Sequence, residues 1–143
     1  MRLRAGFETR PKYLIMKWLT ILFGIFIIYI IILADQGKLG ILNIINQIPY
    51  ADKVGHFFLY GILTLLVDLT ALGTRFKTTQ KLLVVQCGLI LALLIGLEEF
   101  SQRYFSSRHS DLIDLTASYL GVIFFSWLAL KINRRGGVTP PLQ

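Results

Sequence analysis

Charge disappears from this chain four times, and the gaps set the architecture. Trp18 to Ala34 is 17 residues without a charge, and Tyr13 to Met16 extends the run across Lys17. Val54 to Gly73 is apolar apart from His56 and Asp68, while Leu82 to Leu97 and Leu115 to Leu130 are charge-free runs of 16 residues each. A membrane-spanning helix needs about 20 mainly apolar residues. The later runs reach that length only by taking in polar neighbours, Glu98, Glu99 and Gln102 for the third and Asp111 and Asp114 for the fourth. Backbone groups in lipid must be satisfied within the segment, and the alternation of a β-barrel strand is missing, so the runs read as helices. The pattern predicts an all-α fold, an integral membrane bundle of four transmembrane helices at about 13–34, 54–73, 82–102 and 112–132. The whole chain, 1–143, forms a single domain in this reading, with a flexible tail at 136–143.

Between the first two helices, Ile41, Ile44, Ile45 and Ile48 recur at i, i+3, i+4, i+7, with Asn43, Asn46 and Gln47 on the other face and Pro49 as the stop. This spacing predicts a short amphipathic helix, lying on the membrane surface or across the mouth of the bundle. The first apolar run is longer than the roughly 7–15 residues of a signal-peptide core, so it is expected to stay as a span.

Composition agrees: 55% hydrophobic and 16% charged residues, with a mean hydropathy of +0.63, depart from soluble averages in the membrane direction. A net charge of +7 would suggest nucleic acid in a soluble protein, but its distribution is topological. The N-terminal segment, the 74–81 loop and the C-terminal tail carry Arg2, Arg4, Arg10, Lys12, Lys17, Arg75, Lys77, Lys81, Lys131, Arg134 and Arg135. The opposite side carries Lys38, Lys53, Arg103 and Arg108. This split of 11 to 4 predicts both termini in the cytoplasm and no nucleic-acid partner.

The remaining ionisable residues converge. Asp52, His56 and Tyr60, spaced i, i+4, i+8, share one stripe at the start of the second span, with Lys53 beside them. Glu98, Glu99, Gln102 and Arg103 end the third span; Arg108, His109, Asp111 and Asp114 precede or open the fourth, where Asp111, Asp114, Ser118 and Gly121 fall near one stripe. Three segments thus deliver polar groups to one depth of one leaflet. Ionisable residues near hydrocarbon are costly and usually face the bundle interior at a functional site. The plainer alternative is interhelical ion pairing, for example Lys53 with Glu99 and Arg108 with Asp114.

The segments DKVGHFFLY (Asp52 to Tyr60), GLEEFSQ (Gly96 to Gln102) and RHSDLIDLTASYLG (Arg108 to Gly121) resemble the VanZ-like family of small bacterial membrane proteins. The match falls on Asp52, Lys53, His56, Tyr60, Glu99, Gln102, Arg108, Asp114 and Gly121, within roughly residues 14–130. Ser118 stands where the family usually has Asn, and a hydroxyl offers fewer hydrogen bonds than a carboxamide. The resemblance implies a multipass plasma-membrane protein; the family's namesake is associated with resistance to glycopeptide antibiotics of the teicoplanin type.

Two function classes follow. In the first, the site is catalytic and acts on a lipid head group or a lipid-linked cell-envelope precursor at the outer leaflet. His56 exchanges a proton near neutral pH, and Asp52 and Glu99 orient it or act as partner carboxylates. Lys53 and Arg108 hold phosphate, and Tyr60, Gln102, Asp114 and Ser118 complete the binding surface. In the second, the same cluster clamps a phospholipid head group or a partner protein without chemistry. A metal set of His56, Asp52 and Glu99 or Asp114 is the weaker alternative for want of an HExxH or cysteine spacing, so neither metal nor cofactor is expected. The expected partners are membrane lipids; the oligomeric state is open. Asp68 reads as a polar residue near a capped helix end, and Cys87 as packing.

Overall fold

The computed structural model describes residues 11–74, 77–106 and 109–136. Arg75, Arg108, the residues before Pro11 and the tail after Gly136 lie outside the described residues. The described chain is all helical: α1 (Pro11–Asp35), α2 (Gly40–Ile45), α3 (Ala51–Gly73), α4 (Gln80–Ser101), a single 3-10 turn (Gln102–Tyr104) and α5 (Leu112–Gly136). Among the described residues four helices, α1, α3, α4 and α5, are long and apolar enough to cross a membrane.

Local chemistry explains where the helices stop. α1 ends in a Schellman motif: Lys38 N donates to the Leu33 carbonyl and Gly37 N to the Ala34 carbonyl, both at 2.9 Å. Gly37, at φ 66°, supplies the left-handed residue this motif requires. The isoleucine-patterned connection forms the short α2, after which Tyr50 turns the chain into α3 at φ 64°. α5 starts on Asp111, whose Oδ1 accepts the N–H of Ile113 at 2.9 Å, a side-chain cap on an otherwise orphaned donor.

α3 is the centre of the bundle, packing on α1, α4 and, most extensively, α5. Lipid tails are as apolar as leucine, so spanning helices associate through close backbone approach and interhelical hydrogen bonds rather than through hydrophobic exclusion. Both devices operate here. A Cβ on Gly121 would collide with the backbone carbonyl of Phe57, and one on Gly61 would enter the ring of Phe125. Thr20 Oγ1 reaches the Leu66 carbonyl at 3.1 Å and Thr70 Oγ1 at 2.8 Å, tying α1 to α3. The buried core is correspondingly small, built on Ile27, Tyr60, Leu91, Ile95 and Val122. Trp18, Leu22, Ile25, Leu89, Leu93 and Ile123 face outward, which suits a hydrocarbon surround.

Asp68 differs from the sequence expectation. It is fully buried and accepts a 2.8 Å hydrogen bond from Ser126 Oγ, so it joins α3 to α5 instead of finishing a helix end. Glycine packing gives a contrast that unfolding midpoints in detergent micelles will read. Gly121→Ala meets backbone that no rotamer change can clear and is expected to cost about 1–3 kcal/mol. Gly24→Ala, with nothing within 4 Å of the new methyl, should be neutral or gain up to about 1 kcal/mol of helix propensity.

Candidate functional site

The start of α3, the end of α4 and the start of α5 lie at the same end of the bundle, and their polar side chains form one connected network. Asp111 is its hub. Its backbone N–H donates to Glu99 Oε1 at 2.7 Å, its Oδ1 caps α5, and its Oδ2 takes Lys53 Nζ at 3.2 Å. Lys53 Nζ also reaches Asp114 Oδ1 at 2.9 Å. The lysine therefore pairs with Asp111, which caps α5, and Asp114 in its first turn, and not with Glu99 as in the ion-pair alternative. The Ile113 N–H and Lys53 together hold the Asp111 carboxyl below its ordinary value of 3.8.

On the α4 side, Gln102 is buried and donates to Glu98 Oε1 at 2.7 Å and Glu99 Oε2 at 3.3 Å. Tyr60 OH donates to Glu98 Oε2 at 2.9 Å, so α3 and α4 are linked through Glu98. Glu98 and Asp111 stand just outside the residues that carry the family resemblance, yet both are integral to the network. The i, i+4 spacing of Glu98 to Gln102 and the i, i+3 spacing of Asp111 to Asp114 were the available signals.

His56 occupies the other arm. Its Nε2 lies 3.6 Å from Asp52 Oδ1, and its Nδ1 lies 3.3 Å from Ser118 Oγ. Ser118 is buried and donates its one proton to the Asp114 carbonyl at 2.9 Å. With that proton on the carbonyl, the serine oxygen accepts from the imidazole, and the matching neutral tautomer carries its hydrogen on Nδ1 and a lone pair on Nε2. The Tyr60 ring packs against the imidazole, centroids 5.8 Å apart. Ligand atoms of Asp52, His56 and Asp114 all lie within 4.8 Å of one another and are the described residues best placed to hold a metal.

Of the sequence-predicted site residues, the structure thus joins Asp52, Lys53, His56, Tyr60, Glu99, Gln102, Asp114 and Ser118, directly or through Asp111 and Glu98. Arg108 lies outside the described residues. A cleft of about 160 Å³ opens beside the network, lined by Gly96, Glu99, Phe100, Arg103, Ser110 and Asp111. It adjoins the glutamate arm. Arg103 at its rim donates to Ser110 Oγ at 3.3 Å and lies over the Phe100 ring at 5.2 Å.

No protein-family model and no solved structure matches the chain. An uncharacterized protein of the fission yeast Schizosaccharomyces pombe is 35% identical over 123 residues, 86% of this chain and 68% of the yeast protein. The chain belongs to the family of that yeast protein.

Two measurements probe the network. Gln102→Ala leaves two carboxylates short of a donor and is expected to cost about 2–3 kcal/mol, against about 1 kcal/mol for Tyr60→Phe, in micellar unfolding. The Asp111 contribution has the sign of a lowered carboxyl: it is fully present above the ordinary value of 3.8 and is lost as pH falls through the lowered one. Asp111→Ala, which removes cap and charge, should lower the unfolding midpoint at pH 7 more than Asp111→Asn, which keeps a cap oxygen.

Proposed function

We propose that this chain is a plasma-membrane protein of the VanZ-like kind, both termini cytoplasmic, whose His56-centred site acts on a phosphate-bearing lipid head group at the outer leaflet. Orientation rests on charge. Lys12, Lys17, Lys77, Lys81, Lys131, Arg134 and Arg135 belong to the end opposite the site, while Lys38, Lys53 and Arg103 belong to the site end. Cytoplasmic ends carry the excess of Lys and Arg.

The observation that carries a chemical role is the fixed imidazole. A serine holds Nδ1, a carboxylate stands by Nε2, and the group lies near the end of a spanning helix, at head-group depth. A histidine serving only as packing needs no such relay. The clamp reading is weaker, because Lys53 already engages two carboxylates. A relative in a fungus favours chemistry common to fungal and bacterial membranes, which a phospholipid head group is and a lipid-linked precursor of the bacterial wall is not. This moves weight away from glycopeptide resistance.

The test is reconstitution of the purified chain into vesicles of phosphatidic acid, phosphatidylglycerol or phosphatidylcholine, in buffer with divalent cations, followed by chromatography of the lipids. Conversion of an anionic lipid is expected, falling about 100-fold or more in His56→Asn. No conversion in any vesicle, or an unchanged rate in His56→Asn, would overturn the reading.

A further inference from the structure

We infer that Asp52, His56 and Asp114 form a binding site for one divalent cation of the Mn²⁺ or Zn²⁺ type. The argument starts from the serine. Ser118 Oγ lies 2.9 Å from the Asp114 carbonyl and 3.3 Å from His56 Nδ1, and the tautomer that uses both contacts is the one with the hydrogen on Nδ1. Nε2 then offers its lone pair on the side of Asp52 Oδ1, 3.6 Å away, and Asp114 completes the trio of ligand residues. Three electron-rich ligand atoms within 4.8 Å of one another call for something positive among them, and the carboxyls of Asp52 and Asp114, within hydrogen-bond reach of each other, can share either a proton or a metal ion. At 3.6 Å, Nε2 and Asp52 Oδ1 are too far apart for a good hydrogen bond through a shared proton.

A metal ion suits these ligands. Ligand bonds of about 2.0–2.2 Å to imidazole nitrogen and carboxylate oxygen place ligand atoms roughly 3–3.5 Å apart, so the trio, now within 4.8 Å, would close in on the ion. A ligating histidine usually donates its other ring N–H to a fixed acceptor, which orients the ring and sets the tautomer, and Ser118 is that acceptor. Lys53 Nζ holds Asp114 Oδ1, and a metal ion would displace the proton that Asp114 can share with Asp52. One nitrogen with carboxylate oxygens suits Mn²⁺ or Zn²⁺, since imidazole favours the borderline cations over Mg²⁺ or Ca²⁺. Three protein ligands leave coordination positions open, as catalytic metal sites do.

The cation also answers a charge problem in the head-group reading, on which its functional meaning rests. Asp52, Glu98, Glu99, Asp111 and Asp114 crowd a site in which Lys53 is the central described cation, an arrangement that repels phosphate. A metal ion held by the acids makes the same site attractive to a phosphate oxygen.

The full chain in non-ionic detergent micelles, stripped with EDTA and titrated with Mn²⁺ under electron paramagnetic resonance, tests this without any lipid substrate. One equivalent should bind, displaced by Zn²⁺. Asp52→Asn, isosteric and partly exposed, should weaken binding about 100-fold, and Ser118→Ala, which frees the imidazole, about 10–100-fold. No binding below millimolar Mn²⁺, or equal binding by wild type and Asp52→Asn, overturns the inference. Mn²⁺ binding with no lipid conversion removes the head-group reading alone; conversion without binding removes the cation site alone.

Discussion

Asp111 holds the site end of the molecule together. Through one residue pass the cap of α5, a backbone hydrogen bond to Glu99 of α4 and an ion pair to Lys53 of α3. Each of these alone is a modest interaction near water. Their convergence matters because three helices must agree on register before all can form, so the network specifies an arrangement more than it stabilises one. With Asp111 in place, the position of the α5 N-terminus relative to α3 and α4 is set, and Asp114 and Ser118 arrive one and two turns further along the same face.

Below that end, steric fit takes over. Gly121 lies one turn beyond Ser118 and lets α5 approach the Phe57 carbonyl directly. Phe57 follows His56, so the glycine that sets the α3–α5 spacing sits immediately beneath the imidazole contact. A wider spacing would lengthen the His56–Ser118 separation of 3.3 Å beyond hydrogen-bonding range. Packing and site geometry are thus one constraint. Gly61, further along α3, extends it by accepting the face of Phe125.

Much of this was legible in the sequence for physical reasons. Spanning helices announce themselves because hydrocarbon forbids both charge and unsatisfied backbone over a fixed length. Helical periodicity likewise put Asp52, His56 and Tyr60 on one stripe. What the sequence left open was pairing across helices. Lys53 had several acids within plausible reach, and the choice of Asp111 and Asp114 over Glu99 depends on helix rotation, which a single sequence does not encode locally. Asp68 was misread for the same reason: distance from a helix end is a linear quantity, whereas its partner, Ser126, lies 58 positions away. The role of Glu98 was hidden because adjacent residues on a helix point about 100° apart, and only the tertiary arrangement shows both glutamates meeting Gln102.

The serine at position 118 gains a physical meaning from the same geometry. Where the VanZ-like pattern has a carboxamide, two functions are available at once, an oxygen to accept and an amide to donate. Ser118 reaches two partners with one hydroxyl, the carbonyl one turn back at 2.9 Å and His56 Nδ1 at 3.3 Å. The helix itself supplies the acceptor that consumes the proton, since serine in a helix commonly bonds the i−4 carbonyl. With its proton on that carbonyl, the hydroxyl acts as an acceptor toward the ring. A serine at this position therefore still gives the imidazole a hydrogen-bonding partner on Nδ1.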